Sequence, residues 1–321
     1  MAHLRLLAPT GDPARRFTLR YDVIQREVPD HRALVSVRSD WDAGELNGPP
    51  LMLGEVRAGA TALSVERPGG SAWDGFASVL RLGMRHIAEC TDHLLFVLAL
   101  LLPAPLVVLG HVPRARWGGY AGVRRGATRL LRVVTAFTVG HSLTLAAAAG
   151  GWVHVPSAPI EVLIALSILV SALHALRPLF PGREVLVAGG FGLVHGLAFA
   201  STIAGYGIDP WHTVLTVFGF NLGIELMQLA VVAATVPWLL LLARTPAYGA
   251  VRVAGAAVAG VTALGWIGER AFGLANPVGP WVEGAAAHGP VLVVALAALA
   301  FGATAWDRGR GTAPARAVEN I

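Results

Sequence analysis

The sequence predicts an all-α polytopic membrane protein of about seven transmembrane helices, N-terminus outside and C-terminus inside, preceded by a small β-rich region. Three observations predict it. Apolar stretches near the roughly 20 residues that a bilayer core requires recur from about Leu94 to the end. Hydrophobic residues make up 55% of the chain and charged ones 14%, against roughly 25% charged in a soluble domain, and mean hydropathy is +0.60. The arginines also fall in alternate connections between the apolar stretches.

Residues 1–70 read differently from the rest. "RFTLRYDVI" and "RALVSVRSDW" alternate apolar and polar residues with β-branched enrichment, as strands do, and "LNGPP" and "RPGG" supply turns. Residues 71–85 predict an amphipathic interfacial helix, with Trp73, Phe76, Val79 and Leu80 on one face, running on into the membrane. Seven spans follow within 86–306, at 86–109, 130–150, 159–177, 185–205, 213–243, 249–268 and 289–306. The fifth is long enough to tilt, protrude or kink at Pro237. Residues 307–321 read as a disordered cytoplasmic tail.

Arg114, Arg116, Arg124, Arg125 and Arg129 lie between spans one and two, Arg177 and Arg183 between three and four, and Arg244 and Arg252 between five and six. Arg270 alone stands between six and seven, and the tail carries Arg308, Arg310 and Arg316. The positive-inside rule then puts the N-terminus outside and the chain in the inner (plasma) membrane. No signal-peptide apolar core occurs in the first 30 residues. The β-rich region is therefore expected either to follow a truncated or mis-assigned start, the better fit, or to be translocated by the first span.

The formal charge of +5 is carried without a single Lys, and no basic and aromatic interleaving marks a polar surface, which excludes nucleic acid as a partner. With one cysteine, Cys90, no intrachain disulfide forms.

An ionisable group at bilayer depth costs roughly 2.5 kcal/mol or more, so each one is a functional candidate. In span one, "HIAECTDHLLF" puts His86 and His93 seven residues apart on one helical face, with Cys90 between them and Glu89 beside it. Asp92 lies off that stripe, placed to face a neighbouring helix or to orient a histidine. The alternative for His86 and Glu89 is solvation at the outer interface. Span two carries His141 near mid-depth beside Gly140, with Ser142 and Thr144. Span three is expected to begin at Pro159, so that Glu161 meets the positive helix N-terminus. His174 is expected at its inner interface. Span four carries His195 between Gly192 and Gly196. In span five Asn221, Glu225 and Gln228 form a polar stripe on an apolar helix. Each of these also has a bland alternative, an interhelical hydrogen bond and nothing more.

Depth joins them. Four helices place polar groups in one slab from the outer half to the midplane. Imidazole, carboxylate and thiolate suit Ni, Co, Zn or Fe better than Mg or Ca. The metal set is His86, Asp92, His93, His141, His195 and Glu225, supported by Cys90, Ser142, Glu161, Asn221 and Gln228. His3, His31, His111, His154, His212 and His288 are expected to be solvated.

"HIAECTDHLLF", "FTVGHSLTL", "EVLIALSI", "FGLVHGLAFA" and "FNLGIELMQL" together resemble the HupE/UreJ family of nickel permease-like membrane proteins over roughly residues 75–243. The His-x5-Asp-His pattern is similar to the shorter His-x4-Asp-His of nickel/cobalt transporters. The resemblance implies uptake of Ni²⁺ or a related metal, carried by His86, Asp92, His93, His141, His195, Asn221 and Glu225. Cys90 departs from the family, which usually has a small residue there, and either crowds the helix or adds a soft ligand. The β-rich region resembles the leader domain of one branch.

The expected function is uptake of a divalent transition metal, most simply Ni²⁺ or Co²⁺, by a protein that is not an enzyme. One alternative is an intramembrane zinc hydrolase, although no H-E-x-x-H occurs. Another is a metal-binding sensor or assembly protein. Expected partners are lipid, the metal ion, and either further copies of the chain or an extracytoplasmic protein.

Overall fold

The structure, a computed structural model, describes residues 15–20, 32–37, 40–45, 51–57, 61–67, 69–153, 155–198 and 210–310. It divides into two compact units, Met1–Val79 and Leu80–Ile321.

In the first unit, β1 (Arg16–Arg20) pairs antiparallel with β4 (Ala62–Glu66), and β2 (Arg32–Val37) with β3 (Leu51–Arg57). The alternation that predicts strands therefore does produce a small β region. A register shift at Val35/Ser36 bends the second pair. Val56, Val65 and Trp41 are buried. Asp40 holds Arg15 at 2.5 Å and Arg67 at 2.8 Å, fixing the turn at 40–45 to the strand ends. Ser71 accepts the Asp74 backbone N–H at 3.2 Å and donates to the Asp74 carboxylate at 2.6 Å. That reciprocal cap starts α1 (Ala72–Glu89).

The second unit is helical. The first expected span, 86–109, is not one helix. α1 ends at Glu89, Cys90 is extended (φ −85°, ψ 100°), and α2 (Thr91–Leu101) starts afresh. α2 stops because Pro103 and Pro105 lack amide hydrogens and disfavour helix before them. The β-branched run after Pro105 then forms β5 (Leu106–Leu109), which pairs antiparallel with β6 (Arg116–Tyr120). The helices α3 (Val123–Ala149), α4 (Ser157–Leu176), α5 (Glu184–Ala198), α6 (Pro210–Leu242) and α7 (Tyr248–Phe272) follow. α8 (Gly279–Ala286), a short helix the periodicity does not announce, and α9 (Gly289–Gly309) complete the unit.

Among the described residues five helices, α3, α4, α6, α7 and α9, are long and apolar enough to cross a membrane. The first and fourth expected spans are represented by the shorter apolar helices α2 and α5. Residues 199–205, the end of the fourth span, lie outside the described residues, as does the tail from 311. The start of that tail, 307–309, is not a separate segment but the last turn of α9. α6 stays helical through Pro237.

The buried centre is built from Phe96, Phe137, Ile164, Ile168, Leu242 and Ala263, drawn from five helices. Large apolar residues such as Leu143, Leu186, Phe218, Leu264, Val294 and Phe301 remain on the outside, as lipid-facing surfaces require. α3 and α5 make the most intimate contact. A Cβ on Gly192 would strike the Phe137 carbonyl, one on Gly140 the Gly189 carbonyl, and one on Gly196 the His141 carbonyl. α1 and α6 touch in the same way, through Gly83 against Phe220 and Gly223 against Leu80. Small residues let backbones close in where lipid removes any hydrophobic drive between helices.

Gly192→Ala is expected to lower stability by about 1–3 kcal/mol because a backbone carbonyl cannot move aside locally. Gly190→Ala, whose Cβ would meet nothing within 4 Å, should be neutral or stabilising by roughly 0.5–1 kcal/mol. Thermal unfolding of the two variants in detergent measures the contrast.

Candidate metal centre

Four elements deliver histidines to one place. His86 ends α1, His93 lies in the first turn of α2, His141 is beside Gly140 on α3 and His195 is beside Gly196 on α5. His93 is the hub. Its ring centroid lies 5.0 Å from that of His86, 4.8 Å from His195 and 6.2 Å from His141. His86, Cys90 and His93 each offer a ligand atom, all within 4.8 Å of one another. Because the chain is extended at Cys90, the thiol comes round to 3.1 Å from His93 Nδ1. Phe137 and Phe96 wall the group, with centroids 5.1 Å from His195.

Hydrogen bonds around this group assign its tautomers. Ser167 Oγ has one proton and donates it to the Ile164 carbonyl at 2.7 Å. It must therefore accept at 2.9 Å from His195 Nε2–H. That leaves the lone pair of His195 on Nδ1, which accepts from His93 Nε2–H at 3.3 Å. Asn221 Nδ2 donates to the Val217 carbonyl at 2.8 Å, so its Oδ1 faces His141. His141 Nδ1–H donates to that oxygen at 3.1 Å, leaving Nε2 with a lone pair, buried and without a partner among the described residues. A metal-binding imidazole needs such an arrangement, one nitrogen held by a fixed acceptor and the other bare.

The donors fit a transition ion. Nitrogen–metal bonds of about 2.0–2.1 Å in tetrahedral geometry imply nitrogens about 3.3 Å apart. His93 Nε2 and His195 Nδ1, hydrogen-bonded to each other here, have that separation. Imidazoles with one thiol make a borderline-soft set, poorly suited to Mg²⁺ or Ca²⁺.

A family model described as HupE / UreJ protein matches residues 61–270. The chain belongs to the HupE/UreJ family. No curated protein and no solved structure matches it. Membership and the apolar helices together make it a multi-pass membrane protein.

Other expected site residues of this HupE/UreJ chain have other partners or none among the described residues. The Asp92 carboxylate pairs with Arg270 of α7 at 2.8 Å, with side-chain exposures of 16% and 20%, so its charge is already matched. Glu161 is not at a helix N-terminus. α4 begins at Ser157, two residues before Pro159, and the Glu161 side chain is exposed. Its backbone carbonyl accepts from Arg270 at 3.2 Å. Glu225 is half-buried one turn beyond Asn221 and, among the described residues, makes no hydrogen bond or ion pair. Gln228 Oε1 is 3.2 Å from Thr138 Oγ1, an α3–α6 tie rather than part of the histidine group. Ser142 is half-buried and makes no hydrogen bond among the described residues.

His174, expected at the interface, is 1% exposed. It stacks on Phe180 at 3.9 Å, and its Nδ1 accepts from the Leu179 amide at 3.1 Å, ending α4. His111 and His288 are exposed and His212 is half-buried, while His3, His31 and His154 lie outside the described residues. Sequence reasoning missed Ser167, Arg270, Phe96 and Phe137. Ser167 had a visible signal, a hydroxyl within the apolar run "IALSILVS".

Ser167→Ala and Asn221→Leu are expected to weaken Co²⁺ or Ni²⁺ binding by about 10–100-fold by releasing the tautomers, with the fold retained. Equilibrium dialysis of the detergent-purified protein measures it. Asp92→Asn should destabilise the metal-free protein by roughly 1–3 kcal/mol, since it leaves Arg270 poorly matched. An unchanged metal-free unfolding temperature would contradict the structural pairing.

Proposed function

We propose that this HupE/UreJ protein takes up a divalent transition metal, Ni²⁺ or Co²⁺, across the inner membrane. The ion would pass through the centre formed by His86, Cys90, His93, His141 and His195, with the N-terminus outside and the C-terminus inside. The observation that carries the reading is the pair His93 Nε2 and His195 Nδ1, 3.3 Å apart, with the outer nitrogen of His195 held by Ser167. Membership of a family of nickel- and cobalt-related membrane proteins supports the cargo class.

The chemistry suits passage rather than storage. An ion entering from water exchanges hydration for imidazole nitrogens and, through Cys90, one sulfur. Conduction requires these ligands to hold the ion weakly enough to let it leave. His141, whose bare Nε2 is buried beside the His93 hub, offers the next nitrogen. Asn221 orients it, and Glu225 lies one turn further along α6. The drive is electrical or chemical rather than from ATP. The sequence has no phosphate-binding G-x-x-x-x-G-K-[ST] loop and no lysine to make one. The membrane potential contributes about 4.6 kcal/mol per 100 mV to a doubly charged ion moving inward.

Proteoliposomes loaded with a metal-sensitive dye test the proposal by scanning Ni²⁺, Co²⁺, Zn²⁺, Fe²⁺ and Mn²⁺. Saturable flux of Ni²⁺ or Co²⁺ is expected in the wild type, falling at least about tenfold in His93→Ala and His141→Ala. A stoichiometric metal retained through purification, with no flux, would replace this reading with the intramembrane metalloenzyme.

A further inference from the structure

Away from the histidines, a cavity of about 370 Å³ opens where β6, the α6–α7 turn and α9 meet. Tyr120, Arg244, Arg252, Tyr248 and Asp307 contribute to its lining. Two guanidiniums against one carboxylate leave a surplus positive charge there. Arg244 is exposed at the rim and lies over the Tyr120 ring, 5.4 Å from its centroid.

Two polar groups of this lining are buried without a hydrogen-bond partner among the described residues, Tyr120 Oη and Arg252 Nε. Tyr120 is only 4% exposed. Arg252 Nη1 is already committed, donating to the carbonyls of Ala175 and Leu176. Tyr248 Oη is likewise committed, to the Leu102 carbonyl at 2.5 Å. Buried donors are nearly always satisfied, so two orphans in one lining call for an acceptor. Both are donors, and Nε is a donor only. A planar guanidinium beside a hydroxyl is the pattern that recognises oxygen-rich anions. Leu106 also borders a larger groove whose lining includes Arg124, Arg125, Arg129 and Arg132, so the positive field extends beyond the cavity. All of these arginines belong to connections, or to helix ends beside them, that the arginine alternation puts at the inner face, where anionic headgroups concentrate.

We propose that this cavity is an anion site that takes a phosphate group, supplied by a phospholipid headgroup or by free phosphate, with Tyr120, Arg244 and Arg252 as donors. The site is separate from the histidine centre and does not depend on what that centre carries.

The test is thermal unfolding of the full chain in neutral detergent. The titrants are short-chain phosphatidylglycerol, sodium phosphate, a neutral glycolipid and sodium chloride at matched ionic strength. Saturating phosphate ligand should raise the unfolding temperature by about 2–4 °C. Tyr120→Phe and Arg244→Gln should each weaken the effect about tenfold or more in ligand concentration. Arg177→Gln, an exposed arginine outside the cavity, should leave it intact. Tyr120→Phe should not lower the ligand-free unfolding temperature, because its hydroxyl has no partner to lose. A shift with phosphatidylglycerol alone assigns the site to a lipid headgroup, and a shift with phosphate alone to the free anion. A shift that survives in both variants, one that sodium chloride reproduces, or none with either phosphate source overturns the proposal.

Discussion

Backbone contact between α3 and α5 is the constraint from which the rest of the centre follows. In lipid, helices gain nothing from hiding apolar side chains from one another, so attraction comes from close van der Waals approach and from polar contacts. The glycines that permit that approach, Gly140, Gly192 and Gly196, touch backbone where any side chain would collide. Two of them are sequence neighbours of the histidines. Gly140 precedes His141 and Gly196 follows His195, so setting the helix spacing also fixes how deeply each ring reaches. The second crossing, Gly83 against Gly223, does the same for His86 on α1 and Asn221 on α6. A modest widening at either crossing would leave the imidazoles in the same helices but out of reach of His93.

Once the rings are brought together, the apolar surroundings dictate their partners. A buried polar group left unpaired costs more than a paired one returns, so the outer nitrogens of His195 and His141 are tied to groups whose own bonding is already determined. Ser167 is committed by Ile164, and Asn221 by Val217. This determinacy leaves His141 Nε2 as the exception, a buried nitrogen with no hydrogen-bond partner among the described residues. Orphans of that kind are rare, and this one belongs to a ring 6.2 Å from that of His93.

Much of this was legible in the sequence. Long apolar runs and the β-branched alternation announced the helices and the β region, and polar residues inside apolar runs announced His93, His141, His195 and Asn221. What stayed hidden depended on contacts between segments. A hydropathy window reads residues 86–109 as one continuous span, because the break at Cys90 involves neither Gly nor Pro. The two prolines at 103 and 105 were there to be read, but the valines and leucines after them looked like helix and became the first strand of a hairpin. Glu161 was misplaced by a helix that starts two residues early. Asp92 was expected to face a neighbouring helix or to orient a histidine, but Arg270, alone in its connection and out of step with the arginine alternation, had not been matched to it. An unexplained arginine near an unexplained aspartate is a signal that sequence reading can use.

That pairing matters for charge. Neutral imidazoles can bind a divalent ion but do not neutralise it, and an uncompensated double charge in a low dielectric is costly. With Asp92 held by Arg270, the compensation near the centre reduces to the Cys90 thiol, once deprotonated, and to Glu225, half-buried and unpaired among the described residues. On the transport reading this shortage of fixed negative charge is useful. A centre with several carboxylates would bind the ion too firmly to release it, whereas nitrogen ligands with one ionisable sulfur give selectivity through donor softness and geometry. Binding would displace a proton from the thiol. On that reading Cys90 would couple occupancy of the centre to proton release at the junction of α1 and α2, where the helix is already broken.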